Sequence, residues 1–346
     1  MKIAILTFAK AVNYGAILQA TALSQKLKSY GADVYFFNYD NKKIKSANSV
    51  FDFKRIFDFK YTLAHTYNLP SAIKRHKAFK TFRTKHLKFT NENPNDFDSV
   101  ITGSDQVWNY NLTDNDWFYF LNFKKSNTKK IAYGASFGIS EIDCIKKQEI
   151  ANFLNDFDYI SVRENKAVSL IKSITKKEVS LVLDPTFLLT KREWKKFFKP
   201  SKEKEKYIFV YTVENDEKIW EFAHKLSKHT KLPIRSISYS KLYKQNAFYN
   251  FCAGPQEWLQ HIFEAKYVIT NSFHAVAFSI NFQKQFFFSA PKETSSRITD
   301  ITNRYNLSHR EISKCNINSK IDFSLVSEIL KKERRHSEEF IKKFIN

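Results

Sequence analysis

In TNSFHAVAFSI, residues 270–280, a strand-like run (Tyr267, Val268, Ile269) gives way to Asn271, Ser272 and His274 just where a new apolar segment begins. If Asn271 or Ser272 caps a helix there, His274 falls in its first turn, at the positive end of the helix dipole. That position suits a bound anion, and an anion beside the imidazole makes it a titratable acid near neutral pH. A structural His held by a neighbouring carbonyl fits the same residues. Downstream, ETSSRITDITNRY puts Ser296 and Arg297 at another helix start. They read either as a second cation for the same anion or as a capping Ser beside a solvent-facing Arg.

Three further stretches carry reactive or anion-holding types. TFAKAVNYGAILQA sets Asn13, Tyr14 and Gly15 before an apolar helix. Gly15 permits a tight turn, and the helix start offers N–H groups to an anion or a sugar hydroxyl. The pattern is neither GxGxxG nor a Walker loop. ITGSDQVWN places Ser104 and Asp105 after a strand, where Asp105 serves as an acid or base, or as a helix cap. YISVRENKAV puts Arg163 at a strand end, able to grip a carboxylate or phosphate, or to pair with Glu164.

All these residues follow strand-like runs, so the elements that position them come next. IAILTF, VYFFNYD, SVITG, IAYGASF, YISVR and VSLVLD read as strands, with helices at ILQATALSQKLKSYG and NKAVSLIKSI. A second series follows: YIFVYTV, a helix near 215–229, PIRSISYS, a helix near 255–265, YVIT, the helix from 272, and FFFSA. Strands alternating with helices imply parallel sheets, with ligands beyond the carboxyl ends of the strands. The expected organisation is an N-terminal α/β lobe over 1–190, with a basic helical insertion at 41–90. A C-terminal α/β lobe over 191–320 and a helical tail over 321–346 complete it. The stretch DPTFLLTKREWKKFFKPSKEKEK reads as the linker.

Bulk properties bound the function. A chain of 346 residues suits two domains of roughly 150 residues each. The scattered Cys144, Cys252 and Cys315 suggest neither a disulfide framework nor a zinc site, and no metal is expected. MKIAILTF reads as a first strand rather than a signal peptide, and no run approaches the roughly 18 apolar residues that span a bilayer. A cytoplasmic protein is expected. Net charge is +22, and residues 41–90 carry thirteen Lys or Arg against Asp52 and Asp58. Bases interleaved with aromatics there suit either an amphipathic helix on an anionic membrane or a solvated helical face.

Taken together, NYGAILQA, GSDQVWN, YGASFG, SVRE, LDPTFLL, ITNSFHAVAFSI and SSRI, in this order, resemble the polysaccharide pyruvyl transferase family. The resemblance implies two Rossmann-like lobes with parallel sheets, GT-B-like, and a ligand cleft between them. It also implies phosphoenolpyruvate as donor, no cofactor, and a sugar of a surface glycan as acceptor, to which pyruvate is attached as a ketal. Carried over, the donor-binding Arg corresponds to Arg163, the His of the SFH turn to His274 and the later cation to Arg297. The loop with Asn13, Tyr14 and Gly15 would face the acceptor. Ala275 stands where Gly is expected in many members, narrowing the space beside the imidazole.

On this reading Arg163, Arg297, Ser296 and the helix start at Asn271 and Ser272 hold the donor's carboxylate and phosphate. His274 is the acid, Asp105 the base, and Ser104 lies on the acceptor side. A lipid-diphosphate-linked acceptor would let 41–90 rest on anionic headgroups, peripheral to the inner face of the membrane. Two rivals stay open: a GT-B-type glycosyltransferase using a nucleotide sugar, and a nucleic-acid-binding protein whose basic segment tracks phosphates, although no recognition module is present.

Overall fold

The computed structural model describes residues 1–47, 59–124, 126–139, 141–201, 205–238, 245–290 and 295–345, with backbone alone at 47, 59–65 and 295–296. The chain forms two units: Met1–Asn48 with Arg83–Leu189 and Leu330–Asn346, and Ser49–Phe82 with Thr190–Ile329.

The first unit is built on β1 (Lys2–Leu6), β2 (Asp33–Phe37), β3 (Phe89–Thr90), β4 (Ser99–Thr102), β5 (Lys129–Ala135), β6 (Tyr159–Val162) and β7 (Val179–Leu181). They lie in the order β3-β2-β1-β4-β5-β6-β7, all pairs parallel. In register, Ile3 faces Val34 on one side and Ser99 on the other. A parallel sheet covered on both faces needs apolar residues at successive positions, and Ser99–Thr102 is buried throughout.

Helix α1 (Tyr14–Ser29) follows β1, and Asn13 caps it by accepting the Ala16 N–H. Its residues from Tyr14 to Ser24 are all buried, so it is a core helix rather than an amphipathic surface one. Then come α2 (Lys42–Ala47), α3 (Phe59–His86), α4 (Tyr110–Thr113), α5 (Cys144–Asn155) and α6 (Asn165–Lys172). Trp108 anchors the core, stacked on Phe120 at 5.3 Å and tilted against Phe137 at 5.3 Å.

The second unit carries β8 (Ile208–Tyr211), β9 (Ile234–Ile237), β10 (Phe248–Asn250), β11 (Tyr267–Thr270) and β12 (Gln285–Phe288) in the parallel order β10-β9-β8-β11-β12. Its helices are α7 (Lys191–Trp194), α8 (Glu217–Thr230), α9 (Pro255–Glu264), α10 (Phe273–Asn281) and α11 (Ser295–Arg304), and α12 (Phe323–Ile345) ends the chain. Among the described residues no helix is long and apolar enough to cross a membrane.

Both orders run outward from a central strand pair, the doubly wound arrangement of Rossmann-like units. Several boundaries depart from the expected ones. Residues 48–58 of the basic segment lie outside the described residues; α2 precedes them, β3 closes the segment, and most of what lies between is the helix α3. It buries Ser71, Arg75, Phe79 and Phe82 at helical spacing and leaves Lys74, Lys77 and Lys80 exposed. Its residues up to Phe82 group with the second unit, where Arg75 donates to the Phe251 carbonyl at 3.4 Å.

The tail from Leu330 belongs to the first unit, because the Ser337 hydroxyl accepts the Leu183 N–H at 2.9 Å and Arg334 donates to the Phe187 carbonyl at 2.6 Å. The expected linker is not a solvated one. Phe187, Leu188, Trp194 and Phe197 are buried, and Thr190 and Glu193 form a capping box that starts α7.

Candidate functional site

In the second unit the chain order reverses between β8 and β11, and the crevice beyond their carboxyl ends is where such a sheet receives a ligand. Asn271 sits there, fully buried. Its side-chain oxygen accepts the Val213 N–H at 2.8 Å and its amide donates to the Glu214 carbonyl at 2.9 Å. One side chain thus ties the loop after β8 to the end of β11. Both its polar functions hold backbone, each with one bond.

The next residue turns the chain into α10. Thr270 donates its hydroxyl to the Tyr211 carbonyl at 2.5 Å and accepts the Ser272 N–H at 3.0 Å. Ser272 is the N-cap, its hydroxyl facing the Ala275 N–H at 3.5 Å. That bond is long, so the first turn keeps donor capacity. His274 is in this first turn and 8% exposed, its ring edge-on to Phe273 at 5.1 Å. The guanidinium of Arg297, in α11, lies 6.0 Å from the centre of the Phe273 ring. His274 and Arg297 therefore flank one aromatic ring at the mouth of α10. Ser296 is in the first turn of α11, with its side chain outside the described residues.

A second tie went unread in the sequence. Asp216 caps α8 through the Lys218 N–H and accepts the Ser289 hydroxyl at 2.6 Å, while the Ser289 N–H donates to the Thr270 carbonyl at 3.0 Å. The loops after β8, β11 and β12 are locked together. The signal was an Asp directly before a helix-period run, a cap pattern.

In the first unit the order reverses between β1 and β4. Gly103 follows β4, and a side chain there would meet the Thr7 Cβ at 3.0 Å, so glycine permits the two strand ends to approach. Asp105 takes a left-handed backbone with φ 85°, which is strained for a residue with a side chain. It is not a helix cap; Asn109 caps α4 instead.

Arg163, at the end of β6, is 4% exposed and surrounded by acid. Asp184 lies 2.5 Å from it, Asp105 3.4 Å and Glu164 3.5 Å. Burial alone would lower the pKa of its guanidinium, but Asp184, Asp105 and Glu164 outweigh that and raise it. Its charge is already answered inside the first unit, so here it organises the strand ends rather than offering a free grip.

Ser104 is fully buried, accepting from Arg163 at 3.1 Å and donating to Asp184 at 3.3 Å, which corrects the expected acceptor contact. Glu164 accepts the Ser136 hydroxyl at 2.8 Å, so it is no surface partner. Tyr14 and Gly15 are buried members of α1, not a tight turn, whereas Asn13 is exposed at its start. Among the described residues no group of three or more His, Cys, Asp or Glu is placed to hold a metal ion.

A family model described as polysaccharide pyruvyl transferase matches residues 13–293, a span that takes in Asn13, Asp105, Arg163 and His274. The chain belongs to the polysaccharide pyruvyl transferase family. Arg297 and the rest of α11 beyond 293 fall outside the matched span.

No curated protein matches this family member in sequence. Solved structures similar to it include a UDP-N-acetylglucosamine 2-epimerase candidate of Listeria monocytogenes, at 7% identity and TM-score 0.50, covering 98% of this chain and 97% of that one. The UDP-GlcNAc 2-epimerase of Methanocaldococcus jannaschii follows at 10% identity and TM-score 0.48, covering 96% and 91%. The heptosyltransferase WaaC of E. coli with ADP has 11% identity and TM-score 0.43, covering 96% and 100%. At such identities the first likeness speaks to fold alone: two Rossmann-like units of the GT-B class.

Proposed function

We propose that this chain transfers pyruvate from phosphoenolpyruvate to a sugar of a bacterial surface glycan, or of its lipid-linked precursor, as a ketal. The observation that carries the reading is the mouth of α10, where His274 in the first turn and Arg297 from α11 flank the Phe273 ring. A helix N-terminus with a nearby guanidinium suits a ligand bearing both phosphate and carboxylate.

Protonation of the donor's methylene carbon makes its C2 electrophilic. One sugar hydroxyl adds to C2, and a second then displaces inorganic phosphate to close the ketal. Two hydroxyl protons are released, and one proton is taken up by carbon. His274 is assigned the proton delivered to carbon or to the leaving phosphate, worth about 10²–10⁴-fold in rate. Asp105 is the candidate base in the first unit and exposed Asn13 the candidate acceptor contact. The exposed lysines of α3 remain the proposed contact with anionic lipid, at the cytoplasmic face.

The test is phosphate release from phosphoenolpyruvate across a panel of lipid-linked and synthetic galactosides, mannosides and amino sugars, with mass spectrometry of the glycan. Wild type should add a pyruvate ketal, and His274→Ala should lose the activity by about two orders of magnitude or more. Product formation at the wild-type rate in that variant would remove His274 from the mechanism. Binding of a nucleotide sugar with no turnover of phosphoenolpyruvate would replace the donor and favour the glycosyltransferase reading.

A further inference from the structure

The opposite edge of the second unit's sheet, before the strands begin, gathers positive charge around one aromatic ring. The ammonium groups of Lys191, Lys195 and Lys284 lie 5.3, 5.0 and 5.5 Å from the centre of the Phe263 ring. Two of them are held in place by backbone: Lys191 donates to the Phe282 carbonyl at 2.9 Å and Lys284 to the Ala265 carbonyl at 3.1 Å. Phe263 is itself fixed between Phe198 at 5.2 Å and Phe282 at 5.4 Å. Lys206 precedes β8 and Lys266 precedes β11, and both add to the field at Lys284.

Among the described residues this charge is opposed by the Phe282 and Ala265 carbonyls, at the C-caps of α10 and α9, and by one carboxylate. Glu264 is the carboxylate that acts on Lys284, and its oxygens also take the Ser201 N–H at 2.5 Å and the Gln260 amide at 3.3 Å. The ring provides some cation–π stabilisation, but that does not cancel mutual repulsion among ammonium groups.

We propose that Lys191, Lys195 and Lys284 over Phe263, reinforced by Lys206 and Lys266, form a binding site for a phosphate-bearing anion, separate from the α10 mouth. The lysine arrangement is preset by the two carbonyl contacts, so an entering dianion removes repulsion without reorganising the side chains. Burial, followed by Lys191, Lys206 and Lys266, lowers the Lys284 ammonium to about 8, with Glu264 opposing. An anion at the site reverses that pressure. Binding therefore draws a proton onto Lys284 above about pH 8 and weakens as that lysine is neutralised.

Two probes separate the sources of such an anion: inorganic pyrophosphate, followed by calorimetry, and phosphatidylglycerol vesicles compared with phosphatidylcholine, followed by sedimentation. Pyrophosphate binding that the lysine variants below weaken points to a free phosphate compound, and vesicle binding alone that they weaken points to a headgroup; either supports the site. Lys191→Gln with Lys195→Gln should weaken the response by about thirtyfold, from two lost cations. The matching Arg replacements should restore it, and the exposed Lys195→Gln alone serves if the double variant folds poorly. Pyrophosphate affinity should fall between about pH 7.5 and about pH 9.5, against the anion's own gain in charge. Equal responses from wild type and the Gln variants, or no binding of either probe by wild type, would overturn the site. The loss caused by the lysine variants should be the same in a His274→Ala background, so failure here is distinguishable from failure of the pyruvyl transfer reading.

Discussion

Arg163 shows how far a single residue's meaning depends on its surroundings. Its guanidinium joins Asp184, Asp105 and Glu164 in the interior of one unit. Arg163→Met should leave those carboxylates without a cation and destabilise the first unit by about 3–5 kcal/mol, read from denaturant unfolding. Adding Asp184→Asn should recover part of that loss, since the two residues share one network; strict additivity would mean they do not. Asn271→Ala makes a different case, as it removes the partner of the Val213 N–H and the Glu214 carbonyl. Val213 and Glu214 are exposed, so water can replace the lost partner and the expected cost is about 1 kcal/mol per bond, with Asn271→Asp retaining only the Val213 bond.

Titration of one half-buried imidazole should also be visible. Burial first, then Lys85 and Lys28, lowers His86 from 6.5 to about 4. The unfolded chain thus binds a proton that the folded one refuses between those values, and this part of the stability is lost as pH falls from about 6.5 to about 4. Replacing His86 with Asn should flatten thermal stability across that window relative to wild type. An equal slope in both would show that other groups set it.

At the scale of elements, loops after strands carry the tension. Gly138 ends the YGASFG stretch beyond β5 with φ 62°, and a Cβ there would come 2.0 Å from the Gln106 side-chain oxygen. Gly138→Ala should therefore push Gln106 from its bond to the Asn109 amide and lower the melting temperature by several degrees, about 1–2 kcal/mol in a unit of this size. An unchanged melting temperature would mean that Gln106 swings away freely. The strands were legible for a plain reason: both faces of a parallel sheet are covered, so IFVY and the IAIL of KIAIL read as unbroken apolar runs, and SVIT keeps Val and Ile at its centre. Short β3 and β10 were not, because two or three residues carry no period. The place of the joint is legible, since the units divide between Leu189 and Thr190, but its burial is not, because lysines dominate the stretch while Leu188 and Trp194 are core.

For the whole molecule, the excess of +22 charges acts on every residue at once. Self-repulsion weakens the folded state, and added salt screens it, with a Debye length of about 30 Å at 0.01 M falling to about 8 Å at 0.15 M. The melting temperature near pH 7 should rise as sodium chloride is increased over that range. A fall would show that surface ion pairs such as Lys2–Glu92 and Lys10–Asp40 outweigh the net repulsion.

What the sequence determined by itself was local and ordered: alternating strand and helix periods, a cap at Asn271 or Ser272 before His274, and a run of motifs whose order carries the family. Those signals survive in one dimension because period, caps and motif order are properties of neighbours along the chain. Which side chains meet was decided only by the tertiary structure. Asp184 lies 21 residues beyond Arg163, and Asn271 is bonded to a backbone group 58 residues before it. Such pairings depend on which strands the crossovers bring side by side, and burial then decides whether a charged or polar group faces a ligand or another part of the chain.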